Sequence, residues 1–442
     1  MTEIFPNKLI ETLPEYVKKY LKKFGTTERE ILIEKFKKYE AVVVVPALAE
    51  LENIPKLLKS LAKTDDEFHE HFLVLFVINN SENAGSKILE NNRKSFELLK
   101  KVIEKKNLDF HLTDKLDFAV INAFEGENAL PQKTAGVGLA RKIGLDAALA
   151  LLDYSSSKQK LLISLDADCE VSRNYFTEIY LQSNKRKLKA GYVNFEHPID
   201  IEPYSKAIID YEIFLRYYVA GLKYAKSPYA FFTIGSTMIS DAEAYVKIGG
   251  MNKRKAAEDF YFMEKLAKLF DVVEINFATV FPSPRISERV PFGTGRSVYE
   301  LLAGKRNYGE LYSPRIFEAL LKWDELFFNE NILTSSEYLE RAEKINPHLK
   351  DFLLERKFPE HWEKILKKNA SDKQIIKQKK LLFDGFETLK LVHHLRDNCC
   401  GNVNISQALP FIYEKLLSKK EIKKNISPEE LLFALRETAI FK

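Results

Sequence analysis

The chain opens with apolar residues at helical spacing, Leu9, Ile10, Leu13, Tyr16, Val17, Tyr20 and Leu21, set among lysines and glutamates. That spacing predicts helices packed on the outside of a core over residues 1–40. The pattern then changes. Ala41-Val-Val-Val-Val-Pro46 is a continuous β-branched run, as expected for a strand covered on both faces of a parallel sheet. A helix is predicted over 51–62. A second apolar run over 72–78 ends in the turn residues Asn79-Asn80-Ser81. A helix over 87–105, a strand over 117–123, an Ala/Leu-rich helix over 136–152 and a strand over 160–165 follow. Strands alternating with helices in this order predict a doubly wound α/β domain.

Beyond residue 170 the pattern is less regular. Strands are expected over 191–195, 231–240 and 272–278. Helices are expected over 202–224, 242–248 and 258–269. From about 298 the chain reads as almost entirely helical. The expected organisation is an N-terminal helical extension over 1–40, an α/β domain over 41–297 and a C-terminal helical region over 298–442.

Composition narrows the function classes. The 442 residues carry a formal net charge of +5, with basic and acidic side chains interleaved, which argues against nucleic acid as the main partner. The three cysteines, Cys169, Cys399 and Cys400, fit neither a disulfide framework nor a zinc site. The apolar runs are too short to span a bilayer, and residues 1–8 lack a signal-peptide pattern. The expected location is cytoplasmic, with a peripheral contact at the inner face of the membrane left open.

The sharpest chemical feature is Leu161-Leu-Ile-Ser-Leu-Asp166-Ala-Asp168. Two carboxylates two residues apart at the end of a buried strand face the crevice where open α/β sheets bind ligands. Hard oxygen ligands there suit Mg²⁺ or Mn²⁺, with substrate phosphates completing the shell. A solvated acidic turn would give the same local string. Gly249-Gly250 is followed by Glu258-Asp259 at the start of a helix. Carboxylates there cap the helix dipole, or one of them serves as a general base. Thr134-Ala-Gly136-Val-Gly138-Leu-Ala-Arg141-Lys142 lacks the third glycine and the ribose-binding acid of a dinucleotide site. The loop Ser283-Pro-Arg285-Ile-Ser-Glu-Arg289-Val-Pro-Phe-Gly293-Thr-Gly295-Arg296 offers three guanidinium groups to phosphates, or pins itself by salt bridges. The aromatic helix over 202–224 is either core packing or the wall of an acceptor groove.

In combination, Val43-Val-Val-Pro46-Ala-Leu-Ala-Glu50-Leu-Glu-Asn53, then Asp166-Ala-Asp168, then Gly249-Gly250 with Glu258-Asp259, resembles the family 2 glycosyltransferases of the GT-A fold. The resemblance covers roughly residues 40–285. It implies a GT-A-type, Rossmann-like nucleotide-sugar domain that moves a sugar from a nucleoside diphosphate sugar to an acceptor hydroxyl, with inversion. It places Pro46, Ala47 and Glu50 at the nucleotide, Asp168 on the metal, Asp166 near the ribose and metal, and Asp259 as the base, with Glu258 second. Arg141 is expected to reach the diphosphate or to order its loop, and Arg285, Arg289 and Arg296 are the further cations expected at the diphosphate. The family has an Asp-Asp-Gly-Ser type turn where this chain reads Asn79-Asn80-Ser81. Asn79 still offers donor and acceptor groups to a base edge, but the choice of base is left open. The acceptor class stays open among carbohydrate, lipid-linked and small-molecule hydroxyls. Three alternatives stand beside this reading: a non-catalytic nucleotide-sugar-binding scaffold, a sugar-phosphate nucleotidyltransferase, and a helical interaction protein whose function lies in 300–442.

Overall fold

The computed structural model describes residues 1–106, 110–286, 293–305, 309–329, 331–369, 371–418 and 426–437. Two compact units emerge. One comprises 1–201 with 233–296, the other 202–232 with 297–442.

The first unit is built on a mixed ten-stranded sheet, consistent with the α/β class the pattern predicts. Its strands are β1 (Thr2–Ile4), β2 (Ile31–Ile33), β3 (Ala41–Ala47), β4 (Phe72–Asn79), β5 (Asp117–Ala123), β6 (Leu161–Ser164), β7 (Cys169–Val171), β8 (Ala190–Phe195), β9 (Met238–Asp241) and β10 (Val272–Pro282), in the order β1-β2-β5-β4-β3-β6-β9-β8-β10-β7. The central run β5-β4-β3-β6 is parallel, with Val44 opposite both Leu75 and Ser164. Every residue of β3 and β4 is buried, which is why their sequences are continuous apolar runs rather than alternating ones. Each buried Val, Leu or Phe there contributes about 1.5–3 kcal/mol relative to leaving it exposed. Because the four strands run the same way, Ala47, Asn79, Ala123 and Ser164 all end at one edge of the sheet.

The helix Val137–Leu149 covers this centre so closely that all but its first residue is buried. A Cβ at Gly144 would run into the side chains of Val44 and Val77, so glycine is what lets the helix touch the sheet. The same helix carries two buried charges on one face. Lys142 Nζ lies 2.8 Å from Asp146 Oδ2. Asp146 also accepts from the Tyr20 and Tyr245 hydroxyls, each at 2.8 Å, and from the Thr26 amide at 3.0 Å.

That cluster corrects the expectation for residues 1–40. They are not only external helices. The helix Glu15–Phe24 inserts Tyr20 into the Asp146 cluster, and β1 and β2 extend the sheet through pairing of β2 with β5. Three-residue strands are too short to register as a hydrophobic period. The strand expected over 231–240 is also shorter. Only Met238–Asp241 is extended, because Thr237 folds back to the Ile234 carbonyl through both its amide and its hydroxyl.

In the second unit the helix Ser205–Tyr224, expected within the α/β domain, packs with the C-terminal helices. The Tyr217 hydroxyl donates to the Tyr312 carbonyl at 2.7 Å, and Phe317 lies where a Cβ of Gly221 would stand. Buried Glu212 takes the Arg216 Nε at 2.7 Å and the Arg436 Nε at 2.8 Å. The aromatic stripe of this helix is therefore packed core, with Tyr217 against Phe317 and Phe411. Among its described residues the only strands are a two-stranded pair, Glu310–Tyr312 with Asn402–Asn404. Among the described residues no helix is long and apolar enough to cross a membrane.

Candidate active site

The carboxyl edge of the parallel strands gathers most of the singled-out residues. Asp166 and Asp168 follow β6 directly, and the Leu165 amide still bonds to the Val44 carbonyl at 3.0 Å. Both carboxylates therefore leave the sheet beside the end of β3, where Pro46 and Ala47 are buried. Glu50 follows in the next loop. Its backbone carbonyl accepts from the Asn53 and Ile54 amides, starting the helix Ile54–Ala62, while its side-chain Oε2 accepts from Asn53 Nδ2 at 2.7 Å.

Two arginines organise these acids. Arg141, only 3% exposed, donates Nη2 to Asp166 Oδ1 at 2.5 Å and Nη1 to Glu258 Oε1. Gly235 makes room for it, since a Cβ there would lie 2.5 Å from Nη2. Burial works against the Arg141 charge, but Asp166, Glu258 and Asp259 together more than offset it, and its proton is held more tightly than usual. Arg285, just after β10, donates Nε to Asp168 Oδ2 at 2.7 Å and Nη2 to Glu50 Oε1 at 2.5 Å.

Glu258 and Asp259 open the helix Glu258–Leu269, where the N-terminal dipole favours negative charge. Glu258 is buried against Arg141, and its carbonyl accepts from Asn252 Nδ2 at 3.0 Å. Asp259 Oδ1 accepts from the Phe260 amide at 2.7 Å. Burial, with the Glu258 charge adding to it, pushes the Asp259 carboxyl up to about 7 against the pull of Arg141. Asp168 is likewise pushed up to about 6, by burial and by Asp166 and Glu50, against Arg285.

The charges explain both shifts. Five carboxyl groups, Glu50, Asp166, Asp168, Glu258 and Asp259, share two guanidinium groups through contact or field. A site with this surplus of negative charge favours a further cation. Among the described residues no three His, Cys, Asp or Glu side chains are placed to hold a metal ion by themselves. The residues thus fit a hard divalent ion held by one or two carboxylates, with phosphate and water as its other ligands.

Asn79 is buried, and its Nδ2 donates to the Val77 carbonyl at 3.1 Å rather than pointing into open space. Arg141 sits beneath the acids instead of on an open diphosphate-facing surface. Arg296 is half-buried in the first turn of the helix Thr294–Leu302. Arg289 lies outside the described residues. The structure also adds Asn92, which the sequence pattern does not single out. Its Nδ2 donates to the Asn79 carbonyl at 3.0 Å and to Asn80 Oδ1 at 2.7 Å, while its Oδ1 accepts from the Ala49 amide at 2.9 Å. One buried amide thereby ties the loops after β3 and β4 together. An Asn in the middle of an amphipathic helix was its only sequence signal.

No family model matches the chain, and no curated protein matches it. Among solved structures it is similar to S. aureus TarS 1-349 in complex with UDP-GlcNAc, at 12% identity over 70% of this chain and 71% of that one, with a TM-score of 0.37. The complex of the same TarS fragment with UDP matches at 13% identity over 82% and 91%, with a TM-score of 0.37. The mannosyltransferase PcManGT from Pyrobaculum calidifontis, in complex with GDP-Man and Mn²⁺, matches at 13% identity over 88% and 93%, with a TM-score of 0.35.

Proposed function

We propose that the protein is a nucleotide-sugar-dependent glycosyltransferase of the GT-A type that inverts the anomeric centre with Asp259 as general base. The observation that carries this reading is the convergence of Asp166-Ala-Asp168, Glu50 and Glu258-Asp259 at the carboxyl edge of one parallel sheet, linked through Arg141 and Arg285. Asp168 and Asp166 would hold Mg²⁺ or Mn²⁺, which would neutralise the charge of a donor diphosphate. The protein groups do the rest. Pro46, Ala47 and Glu50 frame the nucleotide.

The two acids of the Glu-Asp pair divide the work through their environments. Glu258 is committed to a buried pair with Arg141, which suits a positioning role. Asp259 has no such pair among the described residues and sits near neutrality, where a carboxylate both exists in its basic form and holds a proton well. It takes the acceptor hydroxyl proton as that oxygen bonds to the anomeric carbon. The bond from that carbon to the diphosphate oxygen breaks, and the nucleoside diphosphate leaves. Inversion follows from this single displacement.

Arg141 is a positioning residue in this scheme, and its field holds Asp259 down. Arg141→Met should therefore shift the ascending limb of the kcat/KM–pH profile to higher pH and reduce kcat/KM at pH 7 by about ten-fold or more. Arg141→Lys should restore the limb but not full activity, since an ammonium cannot fork between Asp166 and Glu258. An unmoved limb in the Met variant would contradict the assignment.

Calorimetric titration with UDP, GDP and dTDP, each with and without Mn²⁺, tests the donor site itself. One of these nucleotides should bind more tightly with Mn²⁺, and Asp168→Asn should remove the difference. Equal, metal-indifferent binding of all three, or no binding, would count against the proposal.

A further inference from the structure

The residue that contacts the expected metal ligand is itself a cation. Arg285 Nε donates to Asp168 Oδ2 at 2.7 Å, and Nη2 of the same guanidinium donates to Glu50 Oε1 at 2.5 Å. The fork joins the loop after β6 to the loop after β3, although Arg285 stands 235 residues from Glu50 in sequence. Glu50 is held independently by Asn53, so losing the arginine would not release it. The Arg285 side chain remains 32% exposed and Asp168 20%, so solvent ions reach the pair. The guanidinium occupies a lone pair on Asp168 Oδ2 and another on Glu50 Oε1, and its positive charge repels a metal ion at the same carboxylates.

We propose that Arg285 is the resident counter-cation of Asp168 in the ligand-free protein and competes directly with a divalent metal ion for it. The metal then binds tightly only together with a phosphate-bearing ligand, because that ligand supplies both further oxygen ligands for the metal and a new anion for the displaced guanidinium. Arg285 thereby makes metal occupancy depend on the donor. The inference rests on the part of the reading above that places a divalent ion on Asp168.

Mn²⁺ alone, titrated against the full chain with free Mn²⁺ followed by electron paramagnetic resonance, provides the test. Arg285→Gln should bind Mn²⁺ about ten-fold more tightly than the wild type in the absence of nucleotide, the factor that loss of about 1.4 kcal/mol of competition gives. Asp168→Asn added to Arg285→Gln should abolish the gain. Arg285→Lys, which keeps the charge but cannot fork, should fall between, and it carries the test if the Gln variant does not fold. Equal Mn²⁺ affinity in wild type and variants, a gain that survives Asp168→Asn, or no bound Mn²⁺ in any of them would overturn the proposal. If the gain appears but the wild type binds no nucleoside diphosphate, the competition stands and the donor assignment fails.

Discussion

Asp259→Asn is expected to lower kcat by about 10²–10⁴-fold, the range for losing a positioned general base. Metal-dependent nucleotide binding should be little changed, because the Asp259 carboxylate accepts from the Phe260 amide and not from Arg141 or Arg285, the two arginines that hold Asp166, Asp168 and Glu50. The sign of the pH dependence follows from the direction of its shift. The carboxyl is raised to about 7, so below that pH most of the enzyme carries a protonated Asp259 that cannot accept the acceptor proton. Turnover should rise with pH and reach half its limit near 7. In Asp259→Asn the ascending limb should vanish, leaving a low, flat rate. Glu258→Gln gives the contrast. It removes a partner of Arg141 and one source of the Asp259 rise, so its limb should persist and move to lower pH. A limb that survives in Asp259→Asn but disappears in Glu258→Gln would exchange the two roles.

The second large effect is on stability. Asp146→Ala should destabilise the first unit by about 3–5 kcal/mol, because it leaves Lys142 buried with no counter-charge. Asp146 is fully buried, and Lys142 is almost so. The same change strips the Tyr20 and Tyr245 hydroxyls of their shared acceptor and frees the Thr26 amide. The N-terminal helix should then loosen first, since Tyr20 is its buried polar anchor to the sheet-covering helix. Urea denaturation followed by far-ultraviolet circular dichroism measures the loss. Hydrogen exchange over the helix Glu15–Phe24 should show the local opening. Lys142→Met with Asp146→Leu should recover part of the stability, as apolar replacements of buried ion pairs often do. A single Asp146→Ala variant within about 0.5 kcal/mol of wild type, the range of an ordinary surface change, would show that the cluster is not buried as described.

The sequence reveals the parts of this arrangement that have a local signature. Continuous apolar runs mark β3, β4 and β6 because both faces of those strands are covered, and a strand end is where Asp166 and Asp168 become accessible. The helix Glu258–Leu269 is equally visible, since its acids sit in the first turn after a glycine break. What the sequence hides is pairing across long separations. Arg141 looks like a diphosphate contact from its place beside glycines. Its burial depends on Gly235 nearly a hundred residues later, whose missing side chain leaves space for the guanidinium. Arg285 carries no mark of Glu50 or Asp168 as its partners. Gly138 is similar. Its missing side chain makes room for the Arg254 carbonyl, more than a hundred residues later. Lys142 and Asp146 stand four residues apart on a helix that also carries Arg141, and only the structure shows them to be a buried pair rather than a solvated face. β1, β2 and β7 are too short to show a period and emerge only through pairing with β5 and β10.

Release of nucleoside diphosphate from a panel of nucleotide sugars tests sugar transfer at Asp168 and Asp259 most directly. The panel includes UDP-GlcNAc and GDP-Man, each with Mn²⁺, Mg²⁺ or EDTA and with simple sugar acceptors. Release from one donor that requires metal and is lost in both Asp168→Asn and Asp259→Asn is the predicted result. Release that is unaffected by EDTA and by both substitutions would contradict the account.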